Sequence, residues 1–152
     1  MADEADLISL YSRRILALAA DVPHAERLDD PQGSATKRSP LCGSTVTVDV
    51  RMEGDRIAGY GQDVKACALG QASASILGQN VVGATRDGIL AGRDALHAML
   101  KQGADAPDGV WSGLKVLTPA KDYKNRHASI MLAWDAAIEA IDGTMAKSRA
   151  EG

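Results

Sequence analysis

The stretch from Thr45 to Val64 reads as a β-hairpin bracketed by the only two cysteines of the chain, Cys42 and Cys67. Val46, Val48 and Val50 fall on one face, while Thr45, Thr47, Asp49 and Arg51 fall on the other, which is the period of a half-buried strand. Glu53-Gly54-Asp55 is a turn signal, and the run from Arg56 to Val64 returns the chain. Antiparallel strands of similar length end where their partners begin, so the hairpin brings Cys67 back beside Cys42. Two soft sulfur ligands are therefore expected to converge on one spot.

The elements on either side of the hairpin are helical. Asp6 is a candidate cap for a first helix carrying Leu7, Leu10, Tyr11, Ile15, Leu18 and Ala19, ending before Pro23. From Val22 to Pro40 the composition turns to Pro, Asp, Gly, Ser, Arg and Lys, predicting a long connection with a short edge strand near Ser34 to Lys37. Ala68 to Gly78 and Ala84 to Lys101 predict two further helices, the second stopped by Gly103. Asp105 to Pro119 is punctuated by Gly and Pro, with one helical turn expected around Trp111 and Leu114. A last helix is expected from Asn125 to Ala146, with Ile130, Met131, Trp134, Ile138 and Ile141 on one stripe. This order predicts an α+β fold, a small antiparallel three-stranded sheet with helices packed on one face. With no Phe and 3% aromatic residues, the core must be built from small aliphatic side chains and closely packed helices.

The chain of 152 residues reads as a single domain over 1–152, and its net charge of -3, with acids and bases interspersed, argues against a nucleic-acid partner. No apolar run reaches the roughly 20 residues that cross a bilayer, and the acidic start, Met1 to Asp6, is unlike a signal peptide. The reading is a cytoplasmic protein with no membrane partner. In a reducing compartment its two cysteines are free thiols, metal ligands or redox groups sooner than a disulfide.

Cys67 opens a helix, where the macrodipole and unpaired N–H groups favour a thiolate, so it is expected to be the more acidic of the pair. Thiolates bind zinc, iron or a cluster, and they also exchange sulfur. Simple burial is the competing reading, since free Cys is among the most buried residue types. His24 and His97 read as solvated or satisfied imidazoles, whereas His127, opening the last helix beside Ser129, could reach a metal near that terminus. Ser73 and Ser75 lie near Cys67, but no nucleophile elbow or placed base accompanies them, and the glycines lack phosphate-cradling spacing. The chain is not expected to be an enzyme.

Leu10-Tyr11, Pro40-Leu41-Cys42-Gly43-Ser44, Ala66-Cys67-Ala68-Leu69-Gly70-Gln71-Ala72-Ser73-Ala74-Ser75 and Leu132-Ala133-Trp134 together resemble the U-type iron-sulfur cluster assembly scaffolds (IscU, SufU and the N-terminal part of NifU). The resemblance spans about residues 7 to 142. Gln71 to Ser75 and the insertion from Ala104 to Lys124 are similar to the SufU branch. It implies an α+β scaffold holding iron or an iron-sulfur cluster through Cys42 and Cys67, supplied by a cysteine desulfurase and emptied by iron-sulfur acceptor proteins. In that pattern Ser44 stands where the family carries Asp, and counting back from Leu132-Ala133-Trp134 puts Ser129 at the third cysteine position.

Three readings follow. In the first, Cys42 and Cys67 are joined by His127, water, a small thiol or the cysteines of a second subunit in a homodimer. In the second, a zinc-linked protein accepts sulfur from a cysteine desulfurase on Cys42. In the third, the fold has given up metal chemistry and serves as a binding or regulatory module.

Overall fold

The computed structural model describes residues 12–40 and 43–151, those beyond 144 as backbone alone. Strand β2, Thr45–Glu53, is the centre of a three-stranded antiparallel sheet, flanked by β1, Gly33–Arg38, and β3, Arg56–Lys65. Glu53 pairs with Arg56, so Gly54 and Asp55 alone turn the hairpin. Gly54 has φ of 63°, a left-handed conformation that a side chain would strain. Val46, Val48 and Val50 are all buried, as their alternation requires. The predicted edge strand is present as β1, and Ser34 is paired with Asp49.

Asp49 shows where alternation alone falls short. It lies on the face opposite the valines, yet it is fully buried, because residues 27–28 and Ser34 cover it. The Arg27 guanidinium grips its carboxylate at 2.6 and 3.0 Å, the Leu28 N–H donates to it at 3.0 Å, and the Ser34 hydroxyl donates as well. A buried charge is tolerable only with such a full set of partners.

Helix α1, Arg13–Ala20, is capped by Ser12, whose hydroxyl accepts from the Ile15 N–H at 3.3 Å. The expected cap Asp6, with Leu7, Leu10 and Tyr11, lies outside the described residues. Helix α2, Ala68–Asn80, and helix α3, Arg86–Gln102, fall where the sequence places them. Thr85 caps α3 by accepting from the Gly88 N–H at 3.0 Å, and Gly103, at φ 69°, stops it. The segment after it differs from the reading of one turn: 3-10 helix covers the 14 residues Gly109–Asp122 in two pieces that meet at Trp111, whose backbone angles are not helical, and the second piece contains Pro119. Tighter i to i+3 bonding tolerates a Gly- and Pro-rich sequence that a regular α-helix would not.

Helix α4, Lys124–Glu151, is the spine of the fold. It lies against β1 and β2 and packs on α2 and α3, and Ala133, Ala136, Ala137 and Ala140 are all buried in it. Small side chains let the backbones approach closely, which is how a core without Phe reaches full density. Trp134 is the largest fully buried side chain among the described residues, with Trp111 edge-on to it at 4.9 Å between ring centres. Gly92 leaves room for that pair, since a Cβ there would stand 2.6 Å from the Trp134 ring and 2.8 Å from the Trp111 indole nitrogen.

Candidate functional site

The open end of the hairpin, the start of α2 and the second turn of α4 meet at Cys67. Thr45 pairs with Lys65, so Ser44 and Cys67 leave adjacent strands side by side. The Ser39 N–H donates to the Ser44 carbonyl at 2.8 Å and the Gly43 N–H to the Ser39 carbonyl at 2.9 Å, closing the loop before β2. Cys42, in that loop, lies outside the described residues.

Cys67 is the N-cap residue of α2, half-buried, with extended backbone angles and no side-chain cap of its own. Burial alone would raise its thiol. The Gly70 N–H, the Ser129 hydroxyl, the Leu69 N–H and the positive charge of Arg126 outweigh that and leave it below its ordinary value. The sequence places the thiol at a helix N-terminus. The Arg126 charge and the Ser129 hydroxyl arrive from a helix some 60 residues further on, with no local signal.

Ser129 is buried on α4 and faces two partners at once. Its Oγ is 3.0 Å from Ser44 Oγ and 3.6 Å from Cys67 Sγ. Two further contacts fix the crossing of α2 and α4 behind it: the Ser73 hydroxyl donates to the Ile130 carbonyl at 2.7 Å, and the Trp134 indole N–H donates to Ser73 Oγ at 3.0 Å. Ser73 is thus a helix-to-helix tie. The Gln71 amide donates to the Ala66 carbonyl at 2.9 Å and steadies the chain entering Cys67.

His127 sits two residues before Ser129, and positions two apart on a helix face opposite ways. Its Nε2–H donates to the Ala120 carbonyl at 3.0 Å, while Nδ1 is buried without a hydrogen-bond partner. Burial holds the ring below its ordinary pKa, with Lys101 and Lys124 pushing the same way against the Ala120 and Lys121 backbone contacts. The structure therefore spends His127 on tying α4 to the 3-10 run.

Among the described residues, no group of three or more His, Cys, Asp or Glu side chains is placed to hold a metal ion. Cys67 stands instead with two hydroxyls bonded to each other. Protonated hydroxyls are poor donors to soft metals near neutral pH, so this described set does not fit a resident zinc ion.

A thiolate-prone cysteine thus opens a helix beside a three-stranded antiparallel sheet and is crossed by a long terminal helix, in an α+β fold. The profile of the NifU-like N-terminal domain matches residues 10–149, and the chain belongs to that family. It is 24% identical over 132 residues to the iron-sulfur cluster assembly scaffold protein IscU of Thermotoga maritima, covering 87% of this chain and 92% of that one. It is 26% identical over 138 residues to the protein of the same name from Streptococcus pyogenes, covering 88% and 86%. Its fold is similar to the crystal structure of the N-terminal part of a nitrogen-fixing NifU-like protein from Brucella abortus, with a TM-score of 0.90, 42% identity, and coverage of 93% and 99%. It is also similar to that of a putative SUF-system scaffold from Fervidobacterium islandicum, with a TM-score of 0.80 at 20% identity, over 88% and 98%. No helix among the described residues is long and apolar enough to cross a membrane.

Proposed function

We propose that the chain is a cytoplasmic iron-sulfur cluster assembly scaffold that holds iron or a cluster as cargo through Cys67 and Cys42. The observation that carries this reading is the placement of Cys67 at the N-terminus of α2, where the Gly70 and Leu69 N–H groups and the Ser129 hydroxyl favour its thiolate. Family membership supplies the cargo class. Two thiolates leave a tetrahedral iron two ligands short, so a second copy or a small thiol completes the shell. A cysteine desulfurase supplies the sulfur and iron-sulfur acceptor proteins receive the product. The chain carries and presents its cargo and is not itself a catalyst.

The mutual bond between Ser44 and Ser129 favours a second reading, sulfur acceptance without the zinc that the sequence reading attached to it, because it leaves both hydroxyls satisfied without metal. There Cys42 accepts sulfur: its thiolate attacks the outer sulfur of the desulfurase persulfide, a new S–S bond forms, and the desulfurase thiolate leaves.

The deciding experiment is iron, zinc and acid-labile sulfide content of protein purified without oxygen, beside the Cys42→Ser/Cys67→Ser variant. Iron and sulfide in the unmutated protein alone support the scaffold. Sulfide-free protein whose stimulation of a desulfurase is lost in Cys42→Ala supports the sulfur acceptor. Equal content in both proteins overturns the assignment of cargo to the cysteines.

A further inference from the structure

Strand β3 is an edge strand, and its outer edge is only partly covered. The Gln62 N–H donates to the His24 carbonyl at 2.9 Å, so it points away from β2, and the Gln62 side-chain amide donates to the Pro23 carbonyl at 3.0 Å. Backbone direction alternates along an antiparallel pair, so the N–H and carbonyl of Val64, two residues on, face outward as well. Among the described residues nothing bonds to them.

At that point the fold leaves a groove of about 290 Å³, lined by Ala19 and Ala20 of α1, by Val22, by Val64 and by Gln71 in the first turn of α2. Leu16 stands three and four residues before those alanines, on the same side of α1, and is 49% exposed, so the apolar lining continues into solvent. Two carboxylates, Asp21 and Asp63, also line the groove, and neither forms an ion pair among the described residues. Arg27, which Asp63 attracts from a distance, is already gripped by Asp49.

We propose that this groove is a docking site for an extended segment of a partner protein, one in which apolar residues alternate with Lys or Arg, added to the edge of β3 at Val64. Side chains of an added strand alternate between the faces of the sheet. Its apolar residues therefore fall on the Val64 side, against Ala19 and Ala20, and its cations on the Asp63 side. The charge at the groove selects the occupant: the chain's own start carries Asp3, Glu4 and Asp6, which Asp21 and Asp63 repel. The Gln71 N–H donates to the Cys67 carbonyl at 2.9 Å, so a docked segment touches α2 one helical turn past the sulfur-bearing residue. The proposal goes beyond the cargo reading and does not depend on it.

The test titrates the whole chain with the end-blocked peptide Lys-Val-Arg-Val-Lys and with its acidic counterpart Glu-Val-Glu-Val-Glu, followed by backbone amide NMR shifts and by calorimetry at low and high salt. The basic peptide is expected to shift the amides of Ala19, Ala20 and Val64 and to bind about tenfold tighter than the acidic one. Asp63→Lys should weaken it roughly fivefold at low salt and less at high salt. Val64→Pro, which deletes the outward N–H and spares the ladder to β2, should weaken it roughly fivefold at both. Ala20→Lys, at an exposed position, should weaken it as well and keeps the proposal falsifiable if Val64→Pro does not fold. No binding, equal binding of the two peptides, shifts confined to another surface, or variants that bind as the unmutated chain does would each overturn the proposal. Self-association that Ala20→Lys disperses assigns the groove to a second copy and overturns it too.

Discussion

Gly70 lies so close to Ser129 that a Cβ on it would stand 2.7 Å from the Ser129 hydroxyl oxygen and 2.8 Å from the Ala66 Cβ. A helix-interior glycine ordinarily gains stability on replacement by alanine. Here the added methyl meets a rigid neighbour and the inner hydroxyl of the site. Gly70→Ala is expected to cost about 1–3 kcal/mol and to displace Ser129 from Cys67. Urea denaturation, and the rate of Cys67 alkylation in a Cys42→Ser background, measured on the same variant check both halves.

Asp49 makes stability depend on acid. Burial alone would raise its carboxyl, but Arg27, the Ser34 hydroxyl and the Leu28 N–H hold it below its ordinary 3.8. A carboxylate depressed in the folded state contributes stability that is complete above its unfolded value and is lost as pH falls through the folded one. Asp49→Asn should therefore cost about 1–3 kcal/mol at neutral pH, with the gap to the unmutated protein closing below pH 3.8. Denaturation midpoints across that range decide the matter. A gap constant with pH would remove Asp49 from the acid transition.

His127 works in the same direction over a higher range. Its folded pKa lies below the unfolded 6.5, so the unfolded chain takes up a proton first and stability falls as pH drops from 6.5 toward the folded value. His127→Gln should flatten this limb of the stability profile. Thermal melts between neutral pH and pH 5 give the comparison, and an unaltered slope in the variant would assign the limb elsewhere.

Trp111 docks the 3-10 run on the helices. Its indole N–H donates to the Gly88 carbonyl at 2.9 Å and its ring meets Trp134 edge-on. Trp111→Phe, which keeps an aromatic ring but loses the donor and the pyrrole half of the indole, should cost about 1–3 kcal/mol. Trp111→Ala should cost about 3–5 kcal/mol by leaving a cavity against Trp134. Chemical denaturation resolves the two, and equal losses would mean that the hydrogen bond carries the whole effect.

Much of this was legible from residue order where the deciding interactions are local. Alternation exposed β2, Gly54 its turn, Gly103 the end of α3, and the position of Cys67 its place at the start of α2. Interactions between distant segments were not legible. Nothing near Asp49 announces Arg27 as its partner 22 residues away. The family resemblance assigns Ser44 and Ser129, 85 residues apart, to one site, while their mutual hydrogen bond has no local signal. His127 looked available because it neighbours Ser129 in sequence, whereas helical geometry turns the two apart. The 3-10 run was underestimated because Gly and Pro punctuate it, and both are read as breaks when the bonding assumed is that of an α-helix.

A contact far from the sulfur also bears on where the serine arrives. A side chain at Gly33 would collide with the Ala140 carbonyl oxygen, so β1 and α4 can lie together at that depth only while position 33 stays bare. Ser129 is 11 residues upstream of Ala140, roughly 16 Å along the same rod at 1.5 Å per residue. A helix transmits an axial slip undiminished from one end to the other. Gly33 therefore acts as a stop against which the length of α4 is gauged, and the reach of the Ser129 hydroxyl to Cys67 is set by a clearance at the opposite edge of the molecule.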